Sequence, residues 1–174
     1  MSRKVTVVTI LVGVAVFGAI DQYLGAQYSP FLIEVSGLSA PWLVVPFLAG
    51  ASQPAARPAA LLGWATTWLA VAAYSFMAVS PMEGVHLTPH AYLGCLARQW
   101  PWIVGGLITG PLYGWLGHRF RAHRSWTVGL LAALPVLLEP AGLGQGAVTA
   151  MFAEACLGLL LMAVMTAVAL RSTR

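Results

Sequence analysis

The chain is short, apolar and sparsely charged: 174 residues, 59% hydrophobic and 8% charged, with a formal net charge of +4. A soluble domain carries about 25% charged residues, so this composition excludes a soluble globular protein and predicts an all-α integral membrane helical bundle. The length holds about six spans of about 20 residues, and residues 1–174 read as a single transmembrane domain.

In chain order, the first apolar run covers residues 5–24. Arg3 and Lys4 precede it as they would a signal peptide, but Asp21, Gln22 and Tyr23 stand where a peptidase needs small residues, so a retained helix is expected. Ala15, Gly18 and Ala19 form a small-residue patch on it. The second span, 41–52, is short and needs tilt, local bilayer thinning or flanking residues such as 31–33. The third, 59–80, carries Trp64, Thr67, Trp68, Val71 and Tyr74 at helical spacing. A polar segment with Glu83, His86, His90 and Arg98 leads to the fourth span, 100–117, where Gly106, Gly110 and Gly114 recur every fourth residue beside Gly105, Pro111 and Gly117. That stripe lets another helix approach closely. A basic loop, 118–124, precedes a fifth span at 126–139, short again, and a sixth at 147–170.

Charge orders these spans. Arg3, Lys4, Arg57, Arg119, Arg121, Arg124, Arg171 and Arg174 fall on one face of a six-span arrangement, and Arg98 alone falls opposite with the acids. The positive-inside rule then predicts six transmembrane helices, both ends of the sequence in the cytoplasm, and a multi-pass protein of the cell membrane. The basic loop is expected to touch anionic headgroups, with docking of a cytoplasmic partner as the alternative.

Three acids stand at membrane depth or its outer edge. Asp21 closes the first span, Glu139 lies between Pro135 and Pro140 where the helix end is distorted, and Glu154 sits inside the sixth span among apolar neighbours. An ionisable group at mid-bilayer costs about 2.5–3.5 kcal/mol on insertion scales, so each is expected to face the bundle interior and to have a partner or a task. Converging on one outward-facing cavity, the three carboxyls would hold a cation, an amine or a proton; singly, each would tie helices together through a hydrogen bond. Tyr23, Trp42, Tyr74 and Trp102 gather toward the same boundary, as an interfacial belt or as the aromatic wall of that cavity. Glu34 and Glu83 read as solvated loop acids.

Other chemistries find little footing. Glu83, His86 and His90 have a spacing compatible with a transition metal, but Pro81, Gly84 and Pro89 oppose the regular helix that would align them, and no metal or other cofactor is expected. Cys95 and Cys156 have no metal or redox spacing and read as isolated thiols. There is no phosphate-binding loop, dinucleotide fingerprint, nucleophile elbow or zinc-protease motif, and the basic charge belongs to the membrane topology and not to nucleic-acid binding.

The run Ser39-Ala40-Pro41-Trp42, the segment from Gly105-Gly106 through Gly110-Pro111-Leu112-Tyr113-Gly114 to Gly117-His118, and the Glu near the end of the fifth span resemble a family of small actinobacterial integral membrane proteins of unknown function. More loosely, six short helices with an outward site are similar to the substrate-binding subunits of energy-coupling-factor vitamin transporters. In that family an Ala-x-x-x-Ala patch on the first helix engages the coupling subunit; Ala15 and Ala19 match the spacing but stand at mid-membrane or beyond it.

The leading expectation is therefore a membrane-embedded small-molecule binding or transport subunit. Its ligand would be cationic or amphipathic and its partners the lipid bilayer and a membrane or cytoplasmic subunit. An intramembrane enzyme is the alternative: a carboxyl in an apolar, aromatic cavity acts as a general acid, as in terpene or prenyl cyclases, with Asp21, Glu139 or Glu154 in that role. A non-catalytic membrane partner protein is the third reading.

Overall fold

A computed structural model describes residues 3–38, 40–123 and 128–129. Every regular element among them is helical: α1 (Arg3–Gly25), α2 (Pro30–Ser36), α3 (Ala40–Ala51), α4 (Ala56–Ala78), α5 (Pro89–Arg98) and α6 (Trp100–His123), with a 3-10 turn at Pro81–Glu83. The expected fifth and sixth spans, with Glu139, Glu154 and Cys156, lie outside the described residues, 128–129 excepted.

Two helices are long and apolar enough to cross a membrane, Lys4–Gly25 and Ala56–Ala78. At 1.5 Å per residue each covers about 34 Å, against a hydrocarbon thickness of about 30 Å. Their surroundings matter as much as their length: in the most apolar window of α1 only 17% of residues are buried, whereas the core helix of a soluble protein is enclosed on most sides. Val5, Val8, Val12, Val16 and Ile20 form an exposed hydrocarbon stripe along α1, while Val14, Gly18 and Asp21, at i, i+4 and i+7, are buried. The other expected spans differ from this pair. The stretch read as the second span is α3, only 12 residues, which covers about 18 Å; Pro41 fits its first turn, where a missing N–H costs nothing, but Pro46 interrupts its ladder. The helix begun at Trp100 does not stop at 117 but runs to His123, so most of the basic segment expected as a loop is helical. Cations there complement the C-terminal end of the helix dipole.

Glycine decides how the helices meet. A Cβ on Gly106 would strike Thr67, one on Gly110 would strike Thr67 and the Gly63 carbonyl, and one on Gly114 would strike Ala59 and Gly63. Rising numbers on α6 therefore meet falling numbers on α4, an antiparallel pair with backbones in near contact. The stripe expected from sequence is thus an intramolecular packing face, and its partner is a matching stripe of Ala59, Gly63 and Thr67. Gly114 and Gly117 also receive α3: a Cβ on Gly50 would strike the Gly114 backbone, and one on Gly117 would strike the backbone of Phe47 and Ala51. Phe47, Tyr113 and Leu116 form a buried cluster between α3 and α6, packed by Leu43, Trp115, Phe120 and Val128. On the other side of α4, Gly18 of α1 rests on the Ala70 carbonyl.

The four longer helices consequently alternate in direction. The C-terminal ends of α3 and α6 lie together, since Arg121 Nη1 donates to Ala51 O at 3.0 Å and His118 Nδ1 contacts Gln53 O at 3.1 Å. α1 and α4 both run the opposite way. Lys4, Arg57, Arg119 and Arg121 accordingly occupy one end of the bundle, and Asp21, Glu83 and Arg98 the other.

Candidate functional site

At that second end, three helices bring together residues far apart in sequence. Asp21 is on the buried face of α1, only 7% exposed. Trp42 stands in the first turn of α3, and its indole Nε1 donates to Asp21 Oδ2 at 3.2 Å. Tyr74, in the last part of α4, packs against the same indole edge-on at 6.0 Å between ring centroids, and Phe17 of α1 does so at 5.4 Å from the other helix. Edge-to-face arrangements of this kind are the favoured geometry of aromatic pairs. Pro46 adds a polar group nearby in the chain, because its missing N–H leaves the Trp42 carbonyl without its usual helical donor.

The chemistry of this cluster lies in what the carboxylate has not used. An ionised Asp accepts at about four lone-pair positions and donates nothing, and Trp42 is its hydrogen-bond donor among the described residues. A buried carboxylate with one indole N–H retains acceptor capacity toward a ligand N–H or O–H. The rings of Phe17, Trp42 and Tyr74 around it offer π-faces to a cation.

A second acid approaches from the segment after α4. Glu83 ends the 3-10 turn Pro81–Glu83, and Gly84 follows in the left-handed conformation at φ 71°, which a residue with a Cβ rarely adopts. This reversal turns the chain back over the end of α4. Glu83, expected from sequence as a solvated loop acid, is half-buried, and its Oε1 is enclosed and accepts no hydrogen bond from the described residues. Cys95 is buried in α5. α5 itself begins with a Thr88 cap, whose Oγ1 accepts from Ala91 N at 3.1 Å, and is tied to α4 by Tyr92 Oη donating to Ala72 O at 3.3 Å.

Of the remaining expected site residues, Tyr23 lies 40% exposed on the face of α1 opposite Asp21, and Trp102 is 69% exposed near the start of α6; neither is brought to Asp21. Glu139 and Glu154 fall outside the described residues. His86 and His90 are exposed, in an extended stretch and in the first turn of α5, and no group of three or more His, Cys, Asp or Glu is gathered to hold a metal ion among the described residues. Trp64 and Trp68 meet edge-on at 6.1 Å. A crevice beside Trp68, lined by Thr67, Trp68, Val71, Ile103 and Gly106, has no room for a water molecule among the described residues.

What sequence reasoning missed was Glu83 and Phe17. The signal for Phe17 was available, since it precedes Asp21 by one helical turn; for Glu83 it was not, because the enclosure of its Oε1 leaves no mark in a sequence pattern. No family model matches the chain, and no curated protein or solved structure shows significant similarity to it.

Proposed function

We propose that the chain is a six-span membrane protein that binds or transports a small cationic or amphipathic solute at its outer end. Asp21 is the principal acceptor in this reading, and Trp42 and Tyr74 are the aromatic wall. The observation that carries the proposal is the buried Asp21 carboxylate, held by the N–H of an indole on which Phe17 and Tyr74 pack edge-on. Burying an ionisable group in an apolar bundle is unfavourable, and a purely structural tie between α1 and α3 would need no charge. Glu83, with its unpartnered buried oxygen, reinforces the preference for a cation, and Glu139 and Glu154 would add further acids. Tyr23 and Trp102, turned outward, suit the membrane interface instead.

Two features support the topology. The four longer helices alternate in direction, as successive crossings must, and among the described residues the basic side chains other than Arg98 lie at the end opposite Asp21 and Glu83, in the sense of the positive-inside rule. The short α3 reaches from Trp42, level with Tyr74, to Ala51 beside Arg121, and α2 packs against α1.

The test is native mass spectrometry of protein released from mild detergent, wild type beside Asp21→Asn. A small-molecule adduct is expected on the wild type and lost from the variant, with the adduct mass reporting the solute. Bare protein in both, or an adduct retained equally by both, would overturn the assignment of Asp21.

A further inference from the structure

The opposite end of the bundle holds a second arrangement. Trp115, Arg119 and His123 are spaced by four residues in the last turns of α6 and therefore share one face. The Arg119 guanidinium sits 5.1 Å over the Trp115 ring, and its Nη1 donates to His123 Nε2 at 3.2 Å. Trp115 is half-buried against the Phe47, Tyr113 and Leu116 cluster, whereas Arg119 and His123 are exposed. An indole, a guanidinium and an imidazole thus follow one another from the apolar body of the bundle to its end.

The neighbouring basic residues are engaged differently. Arg121 donates to Ala51 O and His118 contacts Gln53 O, so both finish the C-terminal end of α3. Arg119 is instead oriented by a ring and a histidine, with most of its five N–H donors unengaged among the described residues. Asp21 and Glu83 stand at the other end, so among the described side chains the charges at this end are basic.

We infer that the Trp115–Arg119–His123 face binds the phosphate of an anionic phospholipid in the leaflet at this end of the bundle. The guanidinium takes the phosphate oxygens in a charge-assisted fork. The indole, one turn deeper, contacts the glycerol and first acyl carbons. A ligand that meets both carries its phosphate on an apolar body, which distinguishes a phospholipid from a soluble phosphate. The inference rests on the membrane-spanning reading but is independent of the Asp21 site.

Detergent-purified full-length protein is titrated with phosphatidylglycerol, phosphatidylcholine or inorganic phosphate and bound lipid is read by native mass spectrometry. Phosphatidylglycerol is expected to bind in preference to phosphatidylcholine and to resist displacement by inorganic phosphate. Arg119→Gln is expected to weaken it about fivefold, the scale of one basic residue at an anionic surface. Arg57→Gln, which removes one charge at the same end without touching the face, should leave binding within about twofold. Undiminished binding in Arg119→Gln would overturn the inference. So would an equal loss in Arg57→Gln, which means diffuse charge, or displacement by inorganic phosphate, which means a soluble anion site. Trp115→Phe, which keeps an aromatic in the core cluster, provides a second variant with a smaller expected loss. Failure of the wild type to enter bilayers at all would instead remove the membrane reading on which this rests.

Discussion

The α4–α6 seam and the Asp21 cluster are built by opposite means. Along the seam Gly63, Gly106, Gly110 and Gly114 bring two backbones together with almost no side chain between them, and the gain is dispersion and close packing between helices. At the Asp21 cluster large side chains fill the contact instead: Phe17 and Tyr74 pack on Trp42, whose indole donates to a buried carboxylate. The first arrangement is what a bundle needs to stand up; the second adds a buried charge that stability alone does not call for. Function is more often found where a fold carries such an unfavourable group than where it packs best.

This contrast can be broken in five ways. Gly114→Ala should have the largest effect, because the new methyl meets the Ala59 carbonyl and the Gly63 backbone, which cannot rotate away; a loss of about 1–3 kcal/mol or more is expected, read as a lower thermal midpoint and loss of monodisperse protein in detergent. Trp42→Phe should follow at about 1–3 kcal/mol, since it leaves the Asp21 carboxylate without its donor, and the same change in an Asp21→Leu background should cost clearly less. Asp21→Leu on its own sharpens the comparison most: a functional acid is expected to be replaceable with the thermal midpoint held or raised, whereas a fall would return Asp21 to a structural tie. Tyr92→Phe releases α5 from the Ala72 carbonyl, and faster amide exchange confined to residues 89–98 is expected, with a loss of about 0.5–1.5 kcal/mol. Gly105→Ala is the smallest and of opposite sign. Nothing lies within 4 Å of its added methyl, so the helix should gain about 0.5–1 kcal/mol, and a loss as large as that of Gly114→Ala would erase the distinction between a packed seam and an open helix face.

Much of the helical layout was legible because it depends on local composition. The apolar runs at 5–24 and 59–80 became α1 and α4 with boundaries shifted by a few residues. The Gly106, Gly110 and Gly114 spacing announced a close helix contact, since only a residue without a Cβ lets another backbone approach. Its partner was hidden, because Ala59, Gly63 and Thr67 sit in a helix already rich in small residues. The two surface helices, α2 and α5, were unforeseen; both begin at Pro30 and Pro89, residues that read as breaks but also fit a first helical turn.

Composition and charge order thus determined by themselves that this chain is helical, apolar and polarised, because transfer free energies and helix periodicity are properties of single segments. Which helices touch, that Trp42 reaches across to Asp21, and that one oxygen of Glu83 is enclosed were decided only in three dimensions. Those outcomes follow from steric fit between backbones and hydrogen bonds closed over 21 residues or more, and no window along the sequence contains both partners.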